Sequence, residues 1–418
     1  MNPAGGLKGQ PGASPPGPGA VNQYFCPCPR GLEQALIAEV QAAGATGPVA
    51  LAGGVQCRGA LEAAYRINLH SRLASRVMLQ LARGHYRNED DLYRLALAQP
   101  WEEWFDSACT LRVDTTAIRS PLTSLNFATL RIKDGIVDRL RDKTGERPSI
   151  DTTRPDVRVA LFLQEGAALL YIDLSGEPLF KRGWRADREA KGEAPLKENL
   201  AAGLLALADW KPDTPLMDVF CGAGTIVIEA AQMASHRPPG LQRPFGIERL
   251  SIHRPEIWQT VRAEAEERMA QALARASAAT PVCIAASDID PQAVAMARGN
   301  LQRAGLPPEM VRFSVADAVD VRPPWPQPGV IVSNPPYNER VPIATDTWRG
   351  FGATLRNHFG GWRALLLSSD RRLPGQVGLR ERRKTPLFNG QIECRLFEFE
   401  MRQRDAPAAP SPLGIEGT

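Results

Sequence analysis

Residues 329–332, Gly-Val-Ile-Val, form a short apolar run that stops at Ser333-Asn334-Pro335-Pro336-Tyr337. A run of this length bounded by turn residues reads as a buried strand. Two consecutive prolines fix φ and remove two backbone donors, so the strand cannot run on and the chain leaves it along a rigid path. An amide, free carbonyls and an aromatic ring are then held at the carboxyl end of a strand, the edge where ligands sit in open α/β sheets. The Asn334 side-chain oxygen and the Pro335 carbonyl can accept both hydrogens of a flat exocyclic NH2, and Tyr337 can stack on the attached ring. Accepting those hydrogens aims the nitrogen lone pair. The same residues also make a plain strand-ending turn, and what lies upstream decides between the two readings.

Upstream, residues 215–231 (PLMDVFCGAGTIVIEAA) read as strand, glycine turn and helix. Gly222 and Gly224 let the backbone adopt positive φ and come close to a ligand, and the helix that follows points its N-terminus at whatever is bound. A helix over 196–207, with Pro195 at its start, precedes this unit. A long charged helix over 254–276 interrupts the pattern as an insertion. Strand–helix alternation then resumes. Residues 282–287 form a strand ending in Asp288-Ile289-Asp290, followed by a helix over 291–304. A carboxylate at that strand end can accept from two ribose hydroxyls or cap the next helix; we assign ribose to Asp288 and capping to Asp290. A third strand, 311–315, ends at Asp317, which can accept from an adenine amino group or sit in a surface loop. A helix over 348–359, a fifth strand over 364–368, and a hairpin of 382–387 with 392–401 around Asn389-Gly390 complete the unit.

The front half has a different texture. Residues 1–20 are rich in Pro, Gly and Ala and are expected to be disordered. Helices over 30–43 and 61–69 and strands over 53–59 and 77–81 alternate on the scale of a small α+β domain. A strand over 110–116, a helix over 124–143 and a strand pair, 157–163 and 167–174, follow. One face of that long helix carries Arg131, Lys133, Arg139, Arg141 and Lys143, a solvated face or an RNA-backbone contact. Residues 176–194 read as a polar connection, with the domain boundary placed there.

The chain has 418 residues, 43% of them hydrophobic, and a formal charge of +4. That admits two or three domains and an anionic partner. No apolar run reaches membrane-spanning length, and the start lacks a secretion signal, so a cytoplasmic protein is expected. Seven dispersed Cys point to reduced thiols, and neither they nor the five His cluster as metal ligands.

Glycine turn, ribose acid, adenine acid and amine clamp fall at successive strand ends, in that order. This succession, with a terminal antiparallel hairpin, resembles the class I S-adenosylmethionine-dependent methyltransferases, and the Asn-Pro-Pro-Tyr resembles their amino-methylating branch. The run Asp218 to Ala231, the Phe388-Asn-Gly-Gln-Ile-Glu-Cys-Arg-Leu396 hairpin, Arg72-Leu-Ala-Ser-Arg76, Lys133-Asp-Gly-Ile-Val-Asp138 and Asp173-Leu-Ser-Gly176 are similar to the bacterial RlmL-type methyltransferases. Ala223 stands where that family frequently has Ser.

The resemblance implies an α/β fold: a class I (Rossmann-like) methyltransferase sheet with a terminal antiparallel hairpin, preceded by an α+β ferredoxin-like/THUMP RNA-binding module. The expected domains are a disordered tail (1–21), an N-terminal α+β, ferredoxin-like part (22–65), a THUMP-like RNA-binding domain (66–175), the methyltransferase domain (176–402) and a second disordered tail (403–418). It also implies transfer of a methyl from S-adenosylmethionine to the exocyclic N2 of a guanine in 23S rRNA, either free or in a precursor particle. Asp218, Gly222 and Gly224 would line the methionine end of the cofactor. Asp288 would hold its ribose and Asp317 its adenine. Asn334, Pro335, Pro336 and Tyr337 would hold the flipped base, Asn334 would also bind the cofactor, and Arg131, Lys133 and Arg139 would touch RNA. No metal and no membrane are implied. A tRNA guanine-N2 methyltransferase, an adenine-N6 or protein-glutamine methyltransferase, and a non-catalytic ribosome-assembly factor are the alternatives.

Overall fold

The computed structural model describes residues 14–17, 19–185, 196–278, 283–336 and 344–403, without the side chains of 275–278. Its two sheets follow one another along the chain. The first is built by β1 (Asn22–Pro27), α1 (Glu33–Ala42), β2 (Thr46–Leu51), β3 (Gly54–Gly59), α2 (Leu61–His70), β4 (Met78–His85), α3 (Glu89–Leu97), α4 (Trp101–Trp104), β5 (Leu111–Ile118), α5 (Leu125–Thr144), β6 (Val157–Gln164) and β7 (Ala167–Asp173). These strands join in one seven-stranded sheet of order β2-β3-β1-β4-β7-β6-β5. The two α+β segments read from the sequence therefore share a sheet, joined where β4 pairs with both β1 and β7.

Several of these elements differ from expectation for identifiable reasons. β2 carries Gly47-Pro48, which argue against a strand, and it survives as a half-exposed edge strand where Pro forfeits no inner ladder bond. α3 is capped by Asn88, whose side chain accepts from the Asp91 N–H. Residues 176–185 are not a solvated connection. Leu179, Arg182 and Trp184 are all buried there. Arg182 tolerates this because Glu229 and the carbonyls of Leu179 and Arg72 accept from its guanidinium.

The second sheet is built by α6 (Glu198–Leu207), β8 (Leu216–Asp218), α7 (Thr225–Ala234), α8 (Pro255–Ala278), β9 (Ile284–Asp288), α9 (Pro291–Arg303), β10 (Arg312–Val315), β11 (Val330–Ser333), α10 (Thr345–His358), β12 (Arg363–Ser368), α11 (Leu373–Val377), β13 (Arg383–Asn389) and β14 (Ile392–Glu400). Its order is β10-β9-β8-β11-β12-β14-β13. β8 to β12 are parallel, whereas β14 pairs antiparallel with both β12 and β13. The expected terminal hairpin is present, but Asn389 pairs with Ile392, so the loop is Gly390-Gln391. Gly390 there has φ +65°, and glycine at the first loop position suits a two-residue turn.

The strand order reverses beside β8, which has β9 on one side and β11 on the other. The carboxyl ends of these three strands therefore flank the crevice at the topological switch point. Among the described residues no helix is long and apolar enough to cross a membrane, and no three His, Cys, Asp or Glu gather as a metal site.

Candidate active site

β8 ends at Asp218, and the chain then turns through Cys221-Gly222-Ala223-Gly224 into α7. The two glycines have different reasons. Gly224 has φ +81°, and a Cβ there would lie 2.9 Å from the Ala297 Cβ on α9, so it lets that helix pack close. Gly222 has φ +49°, and a Cβ there would meet nothing within 4 Å, so its backbone faces open space. α9 secures the turn from behind, where the buried Asn300 amide donates to the Ala223 carbonyl at 3.0 Å.

Asp288, at the end of β9, ties this turn to the next strand. One carboxylate oxygen accepts from the Gly222 N–H at 2.9 Å and the other from the Asp290 N–H at 3.1 Å. A carboxylate offers about four acceptor positions, so both oxygens of this half-buried side chain retain capacity. Asp290 caps α9, accepting from the Gln292 N–H at 2.8 Å, as expected.

Asp218 is buried. Its Oδ1 accepts from the Ser333 hydroxyl at 2.7 Å and the Phe220 N–H at 3.2 Å, and Ser333 Oγ in turn accepts from the Val219 N–H at 3.0 Å. The ends of β8 and β11 are thus laced together. Burial pushes the Asp218 carboxyl up to about 7 against the pull of those two bonds, and the Asp288 charge adds to the rise. Burial also raises the Cys221 thiol, which suits a structural residue of the turn and not a nucleophile.

Asn334 follows β11 directly. Its side-chain Oδ1 is buried and has no hydrogen-bond partner among the described residues. Pro335 is buried beside it and Pro336 half-buried. Tyr337 lies outside the described residues. Asp317, two residues past β10, is half-buried, and its Oδ1 accepts from the Val319 N–H at 3.1 Å.

Two apolar residues at this edge escaped the sequence reading. Ile289 is 67% exposed and Val315 55% exposed, at the ends of adjacent strands. The signal for Ile289 was its place between two acids just past a strand, where a large apolar side chain has no core to enter. Ser333 was missed because its partner Asp218 lies 115 residues away.

The cations predicted to touch RNA lie elsewhere, on α5, and each is paired. Arg131 bonds Asp90 at 2.6 Å and lies 4.5 Å from the Tyr93 ring centroid. Lys133 meets Asp134 at 2.7 Å, and Arg139 makes two bonds to Glu102, at 3.0 and 2.5 Å.

The edge thus carries an open glycine backbone, spare carboxylate acceptors, exposed apolar side chains and an unpartnered amide oxygen. That combination fits a nucleoside-bearing, cationic cofactor beside an amine-bearing substrate.

Comparison with known proteins gives the family. Residues 23–78 match the RlmL ferredoxin-like domain and residues 86–173 the THUMP domain. A ribosomal RNA large subunit methyltransferase K/L of Syntrophotalea carbinolica is 39% identical over 408 residues, covering 94% of this chain and 56% of that protein. The chain spans about half the length of the curated relatives it matches. The solved structure of SMU.472, a putative methyltransferase complexed with SAH, superposes with a TM-score of 0.80 at 26% identity, covering 92% of this chain and 99% of that one. A predicted N6-adenine-specific DNA methylase from Listeria monocytogenes gives 0.79 at 28% identity, covering 91% and 97%. Residues 185–398 match the RMKL-like methyltransferase domain, and the chain belongs to that family.

Proposed function

We propose that this chain uses S-adenosylmethionine to methylate the exocyclic N2 amine of a guanine in large-subunit (23S) rRNA, in the cytoplasm. The observation that carries the reading is the Asn334 Oδ1 at the end of β11, buried and without a partner among the described residues. A buried acceptor left without a donor costs on the order of 1–3 kcal/mol, and an amine-bearing substrate relieves that cost. The names of the relatives support rRNA over other amines, and the THUMP match supports an RNA substrate.

When bound, S-adenosylmethionine supplies a methyl already activated on a sulfonium. The protein's share is therefore alignment and not acid–base catalysis. Gly222 and Gly224 let the backbone approach the methionine end, with Asp218 beside it. Asp288 accepts from the ribose and Asp317 from the adenine. Asn334 Oδ1 and the Pro335 carbonyl accept from the target amine, Pro336 keeps that turn rigid, and Tyr337 stacks on the base. The base must leave its stack to present N2 there. The Arg131, Lys133 and Arg139 stripe meets RNA only where phosphates displace its carboxylate partners.

The test is transfer from labelled S-adenosylmethionine to RNA from a strain lacking this gene, with large-subunit rRNA and tRNA assayed separately and the product nucleoside identified by mass. N2-methylguanosine in the large rRNA is expected. Asn334→Ala lowers transfer by at least about 100-fold. Label confined to tRNA moves the substrate, and N6-methyladenosine moves the base. Cofactor binding without transfer to any RNA overturns the reading.

A further inference from the structure

A second cavity, of about 470 Å³, opens between the end of β1, the start of α6 and the tip of the β13–β14 hairpin. Its position relative to the site follows from strand register. Ser333 of β11 pairs with Leu366, Ser368 at the end of β12 pairs with Arg395, and Phe388 pairs with Glu393. The hairpin tip thus projects past the carboxyl edge of the sheet, three strand spacings from β11, or roughly 14 Å across. On the other side, Arg185 bonds Glu198 at 3.0 Å and the Thr225 hydroxyl at 3.0 Å, tying the start of α6 to the first residue of α7. The cavity therefore neighbours the active-site edge, where the front domain closes over it.

Its wall is chemically specific. The Arg30 guanidinium lies 5.6 Å from the Phe388 ring centroid, and both residues line the cavity; Lys197 lines it too, its ammonium 4.8 Å from the ring centroid of Phe180, which lies outside the lining. Both cations are exposed, and neither has a carboxylate partner among the described residues, unlike the stripe on α5. Asn199 also lines the cavity and is only 1% exposed. Its amide nitrogen donates to the Leu73 carbonyl at 3.3 Å and the Ser75 hydroxyl at 3.1 Å, and its Oδ1 is buried without a partner among the described residues. Buried acceptors are ordinarily satisfied, so this one calls for a donor from an occupant. Two cations with no carboxylate partner among the described residues, the Phe388 ring and an acceptor that needs an N–H or O–H together suit a nucleotide of single-stranded nucleic acid: its phosphate would lie against the cations, its base would stack on Phe388, and a base amine or ribose hydroxyl would donate inward.

We infer that this cavity holds a nucleotide flanking the methylated base, so that Arg30, Lys197, Asn199 and Phe388 anchor the extruded strand. The inference rests on the RNA reading above. The site is distinct from the amine clamp, and its task is to position the strand that presents the target.

The test is filter binding of labelled, in vitro-transcribed large-subunit rRNA to the full chain and to Arg30→Gln/Lys197→Gln across a range of salt concentrations. Losing two phosphate contacts to a single strand lowers the slope of log K against log salt by about 1.4 and weakens binding about tenfold. Each single variant takes about half of that slope. Unchanged melting temperature and S-adenosylmethionine affinity show that the fold is intact. Phe388→Leu raises KM for RNA with kcat unchanged. If the double variant matches wild type in both affinity and slope, the inference is overturned, while methyl transfer by the wild type leaves the proposed function standing. A wild type that binds no RNA overturns both.

Discussion

Asp218 carries two opposed demands. It is buried enough to hold its proton near neutrality, yet it sits beside the open glycine turn where a cationic ligand group would select its ionised form. Its folded-state pKa lies above that of the unfolded chain, so folding retains a proton that the unfolded chain has lost, and its contribution to stability falls as pH rises from about 4 to about 7. Binding of the cofactor's charged methionine end runs the other way. Affinity is expected to climb between pH 6 and pH 8 and to level off above the carboxyl's pKa of about 7. Calorimetric titration in two buffers of different ionisation enthalpy should show proton release below pH 7, and Asp218→Asn should flatten the profile. A flat wild-type profile would mean that Asp218 does not face the bound cation. The strand-end positions of Asp288 and Asn334 were legible because each follows a largely apolar run directly. The pull of Ser333 on Asp218, and the pairing of Arg131 and Arg139 with Asp90 and Glu102, were not, because those contacts join residues far apart in sequence.

Among the elements, α7 is tied to the rest of the fold through a buried carboxylate. It starts at the glycine turn, and its Glu229 receives Arg182 at 3.0 Å, with the two side chains 0% and 1% exposed. Arg72, from the segment between α2 and β4, reaches the same carboxylate at 3.4 Å and also donates to the Arg237 carbonyl at 2.7 Å. Glu39 of α1 accepts in turn from the backbone N–H of Arg72 and Leu73. Removing one member of such a buried set leaves charge uncompensated, at a cost of about 3–5 kcal/mol. Glu229→Gln is expected to lower the unfolding free energy read from a urea titration by that amount. Replacing Glu229 and Arg182 together by apolar residues should recover part of the loss, and a loss below ~1 kcal/mol would place the pair in the solvated class. This clamp was invisible in the sequence because residues 176–185 look polar, and polarity suggests solvent unless a buried partner is known. The parallel strands were legible for the opposite reason: runs such as 330–333 are buried on both faces and need no partner to be read.

At the scale of the whole molecule, the two sheets are parts of one body. A single cluster of buried apolar side chains runs from Tyr24 and Leu32 through Leu200 and Leu204 to Leu365 and Leu396. Gly203 on α6 marks how close the approach is, since a Cβ there would lie 2.2 Å from Leu32 Cδ1 on the front domain, and Leu32 is fully buried and cannot move aside. The charged helix α8, which looked like an insertion, spans the same seam. Its Trp258 stacks on Tyr65 of α2 at 5.7 Å and meets Phe245 edge-on at 5.5 Å. Domains joined by a small polar interface move and melt separately, whereas a large apolar one couples them. The expectation is one calorimetric transition with equal calorimetric and van't Hoff enthalpies. Gly203→Ala should shift that whole transition downward by about 1–3 kcal/mol of stability without splitting it. Two transitions, with only one displaced, would mean that the front domain is a mobile accessory. A single transition would hold the front domain's surfaces at a fixed distance from Asn334, and on the proposed function that fixed distance would let a folded RNA be measured by shape before one base is drawn out of it.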